Sequence, residues 1–580
     1  MNSLLLALFC FCFYLLAYHT YGRYLATRIF CLDDKRLTPA HRLRDDVDFV
    51  PTSKDVLFGH HFTSIAGTGP IVGPAIGVIW GWLPALVWVL LGPVLIGAVH
   101  DFGALVLSIR NDGRSIAEVI GKTVSARVRN LFFVIIFFEL WIVIAIFALI
   151  IAVLFNIYPN SVLAVWIEVP IALWLGYRVR VKGGNLLALS IVGVVLMYAA
   201  VYVGAFLPLK MPALLGLSPV LVWMLVLFCY AAVASVLPVD RLLQPRDYLN
   251  SHQLLIAMGL LALGVAVAHP VIVAPAYVEH PHGAPGLWPF LFVVIACGAV
   301  SGFHAMVSSG TSSKQLNRES DALFVGYGSM LFEGGLAVLV LIACTAGIGM
   351  GVKGHDGILL TGSSAFFDHY GSWSSANGLG AKLAAFVEGA ANMIAAVGLD
   401  RAVAVTVMGV FIVSFAATTL DTATRIQRYV VTELAEGAGL PQLAGRWPAT
   451  LLAVVSAMAL AFYSGDGKGA MALWPIFGAV NQLLAGLALL AVISYLVYLR
   501  RPVWVALPPM LFMVVMTVWA LVANGQRLWA EGNLLLAALS GLILFLQGWM
   551  LLETLLILRR RLVHSSGING LSPAGEEGDL

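Results

Sequence analysis

Apolar residues run along this chain in windows of about twenty, the length an α-helix needs to cross a bilayer, and short polar connections separate them. The windows predict spans near 3–21, 57–80, 83–108, 131–155, 161–177, 185–207, 218–236, 252–270, 287–309, 323–348, 403–424, 447–464, 471–497, 503–522 and 533–557. That makes an all-α polytopic membrane protein with about fifteen transmembrane helices. A weaker, amphipathic stretch at 381–398 carries Phe386, Glu388, Asn392 and Met393, and reads as a helix on the outer surface or re-entrant. Charge placement fixes that reading. With connections counted alternately, every Lys and Arg except Lys210, Lys353, Lys382, Arg401, Lys468 and Arg527 falls on one side. Basic residues collect on the cytoplasmic face, so the N-terminus is predicted periplasmic and the C-terminus cytoplasmic. A spanning 381–398 would put the later basic loops on the wrong side.

One apolar window contradicts a plain membrane helix. Residues 58–80 contain Gly59, Gly67, Gly69, Gly73 and Gly77 with Pro70 and Pro74, beside His60, His61, Thr63, Ser64 and Thr68. Glycine weakens the helical ladder and each proline removes a donor. Non-helical backbone survives at membrane depth only where protein or a wet cavity shields it. A broken helix of this kind points to a transporter's binding site.

Composition agrees: 60% of the 580 residues are hydrophobic and 11% charged, which no soluble globular chain of this length matches. Six cysteines form no CxxC pair, so neither a disulfide framework nor a metal site is indicated. The first apolar stretch lacks a basic start and a small-residue cleavage site, so it reads as a retained helix. No Walker loop, HExxH or GxSxG is present, and the basic loops lack interleaved aromatics. Together these argue against an ATPase, a hydrolase and a nucleic-acid binder. No enzyme and no cofactor is expected, beyond H⁺ or Na⁺ as a coupling ion; membrane lipid and a small-molecule substrate are the expected partners.

The second unusual helix, 218–236, carries Tyr230, Ser235 and then Pro238, small residues and a proline that can open its inner end. It follows the first broken helix by five spans and runs the opposite way, as a five-plus-five inverted repeat demands. The predicted organisation is an N-terminal helix and cytoplasmic loop (1–56), a ten-helix core (57–424, repeats about 57–207 and 218–424), accessory helices (425–560) and a disordered cytoplasmic tail (561–580). Ser308, Ser309 and Thr311 cluster hydroxyls at a helix C-terminus, which suits either a small cation or helix capping. Glu139 sits inside its span with no Lys or Arg nearby in sequence, and reads as a proton carrier or a hydrogen-bonding group. His60, His61 and Asp101 are further proton-coupling candidates. Asp421 lies one turn from Arg425, allowing an intrahelical salt bridge, and with His304 these are gating or structural candidates. Thr63, Ser64, Gly67, Thr68, Gly69, Gly73, Tyr230 and Ser235 are the expected substrate-binding set.

Gly59-His-His-Phe-Thr-Ser-Ile-Ala-Gly-Thr-Gly-Pro-Ile-Val-Gly-Pro74, Gly97-Ala-Val-His-Asp101-Phe, Leu242-Leu-Gln-Pro-Arg246-Asp-Tyr248, Ser301-Gly-Phe-His-Ala305, Thr418-Thr-Leu-Asp-Thr-Ala-Thr-Arg425 and Trp474-Pro-Ile-Phe-Gly-Ala-Val-Asn-Gln482 resemble the carbon-starvation protein A family of bacterial inner-membrane proteins. The resemblance runs from about residue 30 to 500. It implies a secondary transporter with a leucine-transporter-like core, importing pyruvate or short peptides during nutrient limitation with proton coupling. A nutrient-sensing membrane protein and a passive channel are the alternatives.

Overall fold

The computed structural model describes residues 2–123, 125–354 and 357–567. These residues are overwhelmingly helical; a two-residue β-ladder pairs Val352 with Leu360 and Lys353 with Leu359. Twelve helices are long and apolar enough to cross a membrane, or thirteen when the bent pair Lys54–Ala66 and Gly69–Trp80 counts as one span. Two of the fifteen expected spans fall outside that measure. Arg446–Phe462 is shorter, and 287–309 is not one rod: Leu287–Val294 and Gly302–Gly310 flank an unwound run. The stretch 381–398 forms Leu379–Ala395, which lies against Gly69–Gly77, the second half of the first broken helix.

The centre is a long antiparallel contact between Ala126–Ile157 and Arg401–Gly437, flanked by Pro219–Val236 and Arg446–Phe462. Leu243–Ala268 runs along Lys54–Ala66, and Trp474–Tyr498 runs along Ala98–Ile109 and Gly302–Gly310. The hairpin of Val162–Lys182 and Leu186–Phe206 and the final pair Leu507–Ala530 and Leu534–Gly567 pack outside this group. Their exposed Leu, Val, Phe and Trp side chains suit a lipid surface.

Four sequence expectations shift. Pro219–Val236 is one uninterrupted helix; Pro238 lies beyond its end and stops it rather than opening it. The second interruption is at 295–301, where Gly298 takes φ 86° and relieves the backbone. The helix expected from 252 begins at Leu243, so Arg246 and Asp247 are buried helical residues, not loop charges. The helix expected to close the core at 424 continues to Gly437. The last helix runs to Gly567, into the segment expected to be disordered; 568–580 lie outside the described residues.

Candidate functional site

Lys54–Ala66 ends because Gly67 adopts φ 42° and ψ −149°, a conformation that a side chain would strain. The chain turns through Thr68 and restarts at Gly69, bent by 44°. The second break touches the first: a Cβ on Gly69 would lie 2.2 Å from Cys297 Cβ, and one on Gly298 would lie 3.2 Å from Pro70 Cα. Glycine at these positions is therefore a condition for two unwound backbones to meet at the middle of the core.

Beside this junction is a cavity of about 160 Å³, with Gly69, Gly73, Cys297, Asn481, Lys382 and Arg527 on its wall. No carboxylate lines it among the described residues. Burial pushes the Lys382 ammonium down to about 8, and its Nζ sits 5.6 Å over the Trp474 ring. Arg527 is half-exposed, 3.6 Å from Glu531. Asn481 accepts from Phe303 N–H at 3.0 Å and bonds Ser301 at the second break. Sequence reasoning took Lys382 and Arg527 as outer-side charges. Their shared wall appears only once the loop helix Leu379–Ala395 folds back over the breaks.

Behind the cavity lies a first cluster of buried ionisable groups. His304 approaches Asp101 Oδ2 with Nδ1 at 3.1 Å and Glu333 Oε2 with Nε2 at 3.4 Å. His100 Nδ1 is 2.8 Å from Asp101 Oδ1, and His61 Nδ1 is 2.7 Å from Ser312 Oγ. The other Glu333 oxygen accepts from Gly298 N–H at 2.9 Å, in the unwound run itself. These side chains are fully buried.

A second cluster surrounds Arg246. It contacts Asp421 and Asp247, donates to Tyr230 Oη at 2.6 Å, and lies 3.8 Å from Glu168. His60 Nδ1 meets Asp247 at 2.6 Å, and Asn250 donates to Glu168 at 2.6 Å. The expected Asp421–Arg425 pair does not form: Asp421 turns to Arg246, and Arg425 turns outward to Asp48. Burial decides this, because a buried guanidinium needs a carboxylate of its own.

The third arrangement is a latch on the face that carries the basic loops. Asp48 Oδ1 lies 2.8 Å from Arg425 and 3.3 Å from Arg428, and accepts from Tyr429 Oη at 2.7 Å. Arg425 also donates to the carbonyls of Ala234 and Leu237. The strap that holds Asp48 is pinned by Val239 N–H to Val47 O at 3.0 Å and Gln244 to Thr52 Oγ1 at 2.8 Å. Burial raises the Asp48 carboxyl, but Arg428 and Arg425, then Lys314 and Tyr429, hold it at about 2.

The remaining expected residues scatter. Gly67, Thr68, Gly69 and Gly73 form the first break, and Gly69 and Gly73 reach the cavity. Thr63 donates to the Gly59 carbonyl of its own helix. Ser64 Oγ is 2.9 Å from Thr422 Oγ1, and Thr419 donates to the Ser64 carbonyl at 3.0 Å. Tyr230 belongs to the Arg246 cluster. Ser235 and Ser308 hydroxyls are buried with no hydrogen-bond partner among the described residues. Ser309 and Thr311 donate to the carbonyls four residues back. Glu139 is buried, and both its oxygens lack a hydrogen-bond partner among the described residues.

Comparison with known proteins places this geometry. The family model "Carbon starvation protein CstA" matches residues 2–353 and 364–520. The Campylobacter jejuni "Peptide transporter CstA" is 34% identical, covering 91% of this chain and 81% of that protein. The Escherichia coli "Pyruvate/proton symporter BtsT" is also 34% identical, covering 88% and 80%. A mutant form of the Eremococcus coleocola manganese transporter superposes with a TM-score of 0.53 at 10% identity, covering 89% of this chain and 99% of that one, a likeness of fold. Two breaks meeting at the core centre are a feature of a secondary active transporter, and this chain belongs to the CstA carbon-starvation family.

Proposed function

We propose that the chain imports small 2-oxo monocarboxylates of the pyruvate type across the bacterial plasma membrane, driven by protons. One observation carries the reading: among the described residues, the cavity at the two breaks has two cations and no carboxylate on its wall. Its volume is well below the roughly 300–1,000 Å³ of sites for drug-sized ligands. The helix restarting at Gly69 borders the cavity along one face, Gly69, Val72, Gly73 and Ile76, so its first turn, where a carboxylate is favoured, forms part of the wall. Lys382 and Arg527 attract the anion, and Asn481 can donate to it. The cavity lies away from the basic loops, so it opens to the periplasm, while the Asp48 latch closes the cytoplasmic face. The name of the Campylobacter jejuni relative favours a second reading, short peptides; their ammonium needs an acid that this wall lacks.

Reconstituted protein should accumulate labelled pyruvate under an inward proton gradient and ignore a sodium gradient. A labelled dipeptide should enter at least tenfold more slowly. Uptake blind to both gradients would make the chain a passive channel, and binding without flux would make it a sensor; either ends this reading. Sodium-driven uptake would move attention to Ser308, Ser309 and Thr311.

A further inference from the structure

We propose that the coupling proton binds the triad Asp101–His304–Glu333, and that Gly298 and Cys297 of the second break connect this site to the substrate cavity. The inference rests on the proton-coupled reading above and assigns its proton.

The triad joins three helices. Asp101 is on Ala98–Ile109, His304 on Gly302–Gly310 and Glu333 on Ser329–Ile342. One imidazole stands between two carboxylates, at 3.1 and 3.4 Å. With His304 protonated the three side chains still carry an excess negative charge, which a second proton on Glu333 or on His100, 2.8 Å from Asp101, neutralises; no Lys or Arg contacts the group among the described residues. An uncompensated charge in a dry interior is costly, so a second proton has a place to go. The groups facing the triad are His100 on the same helix as Asp101, His61 on the first broken helix, Cys297 at the second break, and Tyr14 on the N-terminal helix.

The link to substrate is Glu333 Oε1, which accepts the Gly298 amide at 2.9 Å. A carboxylate holds such an amide roughly twice as strongly as a neutral acid does. Protonating Glu333 therefore loosens the anchor on the unwound run. Cys297, the next residue along, lines the cavity and contacts Ser301 at 3.3 Å. The chain of contacts runs from cavity to Cys297 to His304 without leaving the second break. A bound anion at the cavity and a proton at the triad neutralise each other across that short path, so each favours the other's binding. Glu139 has no such connection: its oxygens meet no hydrogen-bond partner among the described residues.

The experiment compares Glu333→Gln with Glu139→Gln in liposomes. Glu333→Gln should lose proton-driven accumulation by at least tenfold, keep counterflow exchange within threefold of wild type, and flatten the pH profile of exchange. Wild-type accumulation in Glu333→Gln, with accumulation lost in Glu139→Gln, would overturn the assignment while leaving proton coupling intact. A wild-type protein that ignores the proton gradient would instead overturn the functional reading beneath it. Should Glu333→Gln fail to exchange at all, proton uptake on adding pyruvate to weakly buffered detergent-solubilised protein decides. About one proton per transporter is expected from wild type and about none from Asp101→Asn; equal uptake by both refutes the triad. A stoichiometric transition metal found in the purified wild-type protein and lost in Cys297→Ser would also refute it.

Discussion

Replacing Asp48 by Asn tests whether the strap at the basic face is a gate. The Asp48 carboxyl lies at about 2, against an ordinary 3.8, because its two arginines outweigh its burial. At about 1.4 kcal/mol per unit, the closed latch favours the charged form by about 2–3 kcal/mol. The side chain is only 14% exposed, so screening removes little of this. Stranding buried arginines costs about 3–5 kcal/mol when nothing replaces the acid. Arg425 keeps the carbonyls of Ala234 and Leu237, so the lower figure is expected. Two kcal/mol raises the population of any state open at this face about thirtyfold. Ser235 sits directly behind the latch with a hydroxyl that has no hydrogen-bond partner among the described residues, so Ser235→Cys is a mild probe. Its labelling by an impermeant maleimide from the basic face should accelerate about thirtyfold in Asp48→Asn and stay near the parent rate in Asp48→Glu. A change below twofold in folded, pyruvate-binding protein refutes the latch. The pH sign is also fixed. A depressed carboxyl contributes above its unfolded value and stops contributing as pH falls through about 2, so the ratio of the Asp48→Asn labelling rate to the parent rate should be flat between pH 5 and 8, while both rates rise with the thiolate fraction of the probe.

Three further outcomes follow from the same geometry. Lys382 is charged below about 8 and neutral above, so pyruvate affinity should fall as pH rises through that value; Lys382→Met should weaken it about tenfold at pH 6.5, by half-saturation of uptake, and abolish the pH step. Gly69→Ala puts a Cβ 2.2 Å from Cys297 Cβ, which should abolish uptake and lower stability by about 1–3 kcal/mol; adding Cys297→Gly should restore part of both. Arg246→Met leaves Asp421, Asp247 and Glu168 buried without their cation, a loss of about 3–5 kcal/mol readable as a lower melting temperature; adding Asp421→Asn should recover a substantial share.

What the sequence shows and what it hides divides along one physical line. Apolar length and glycine-proline content are local properties, so most of the spans and the break at Gly67 were legible from residue order alone; the helix near 381–398 was legible as a helix but not as the largely buried one it is. Partnership between charges is not local. Arg246 and Asp247 looked like a loop because hydropathy scores each charge as if it faced lipid; in the structure they neutralise each other, Asp421 and His60 inside a helix. The same error paired Asp421 with Arg425, one turn away, when the winning partner of each lies more than 150 positions distant. The second break escaped notice for a related reason. Its run Ile295–Ser301 has one glycine and no proline, so no local signal marks it. What holds it open is remote: Glu333 takes the Gly298 amide and Asn481 takes that of Phe303. A break stabilised by side chains on other helices opens or closes as those side chains change charge or position. A break written into its own residues, like that at Gly67, does not. On the coupling proposed above, the first is the hinge that the proton moves, and the second the fixed wall against which it moves.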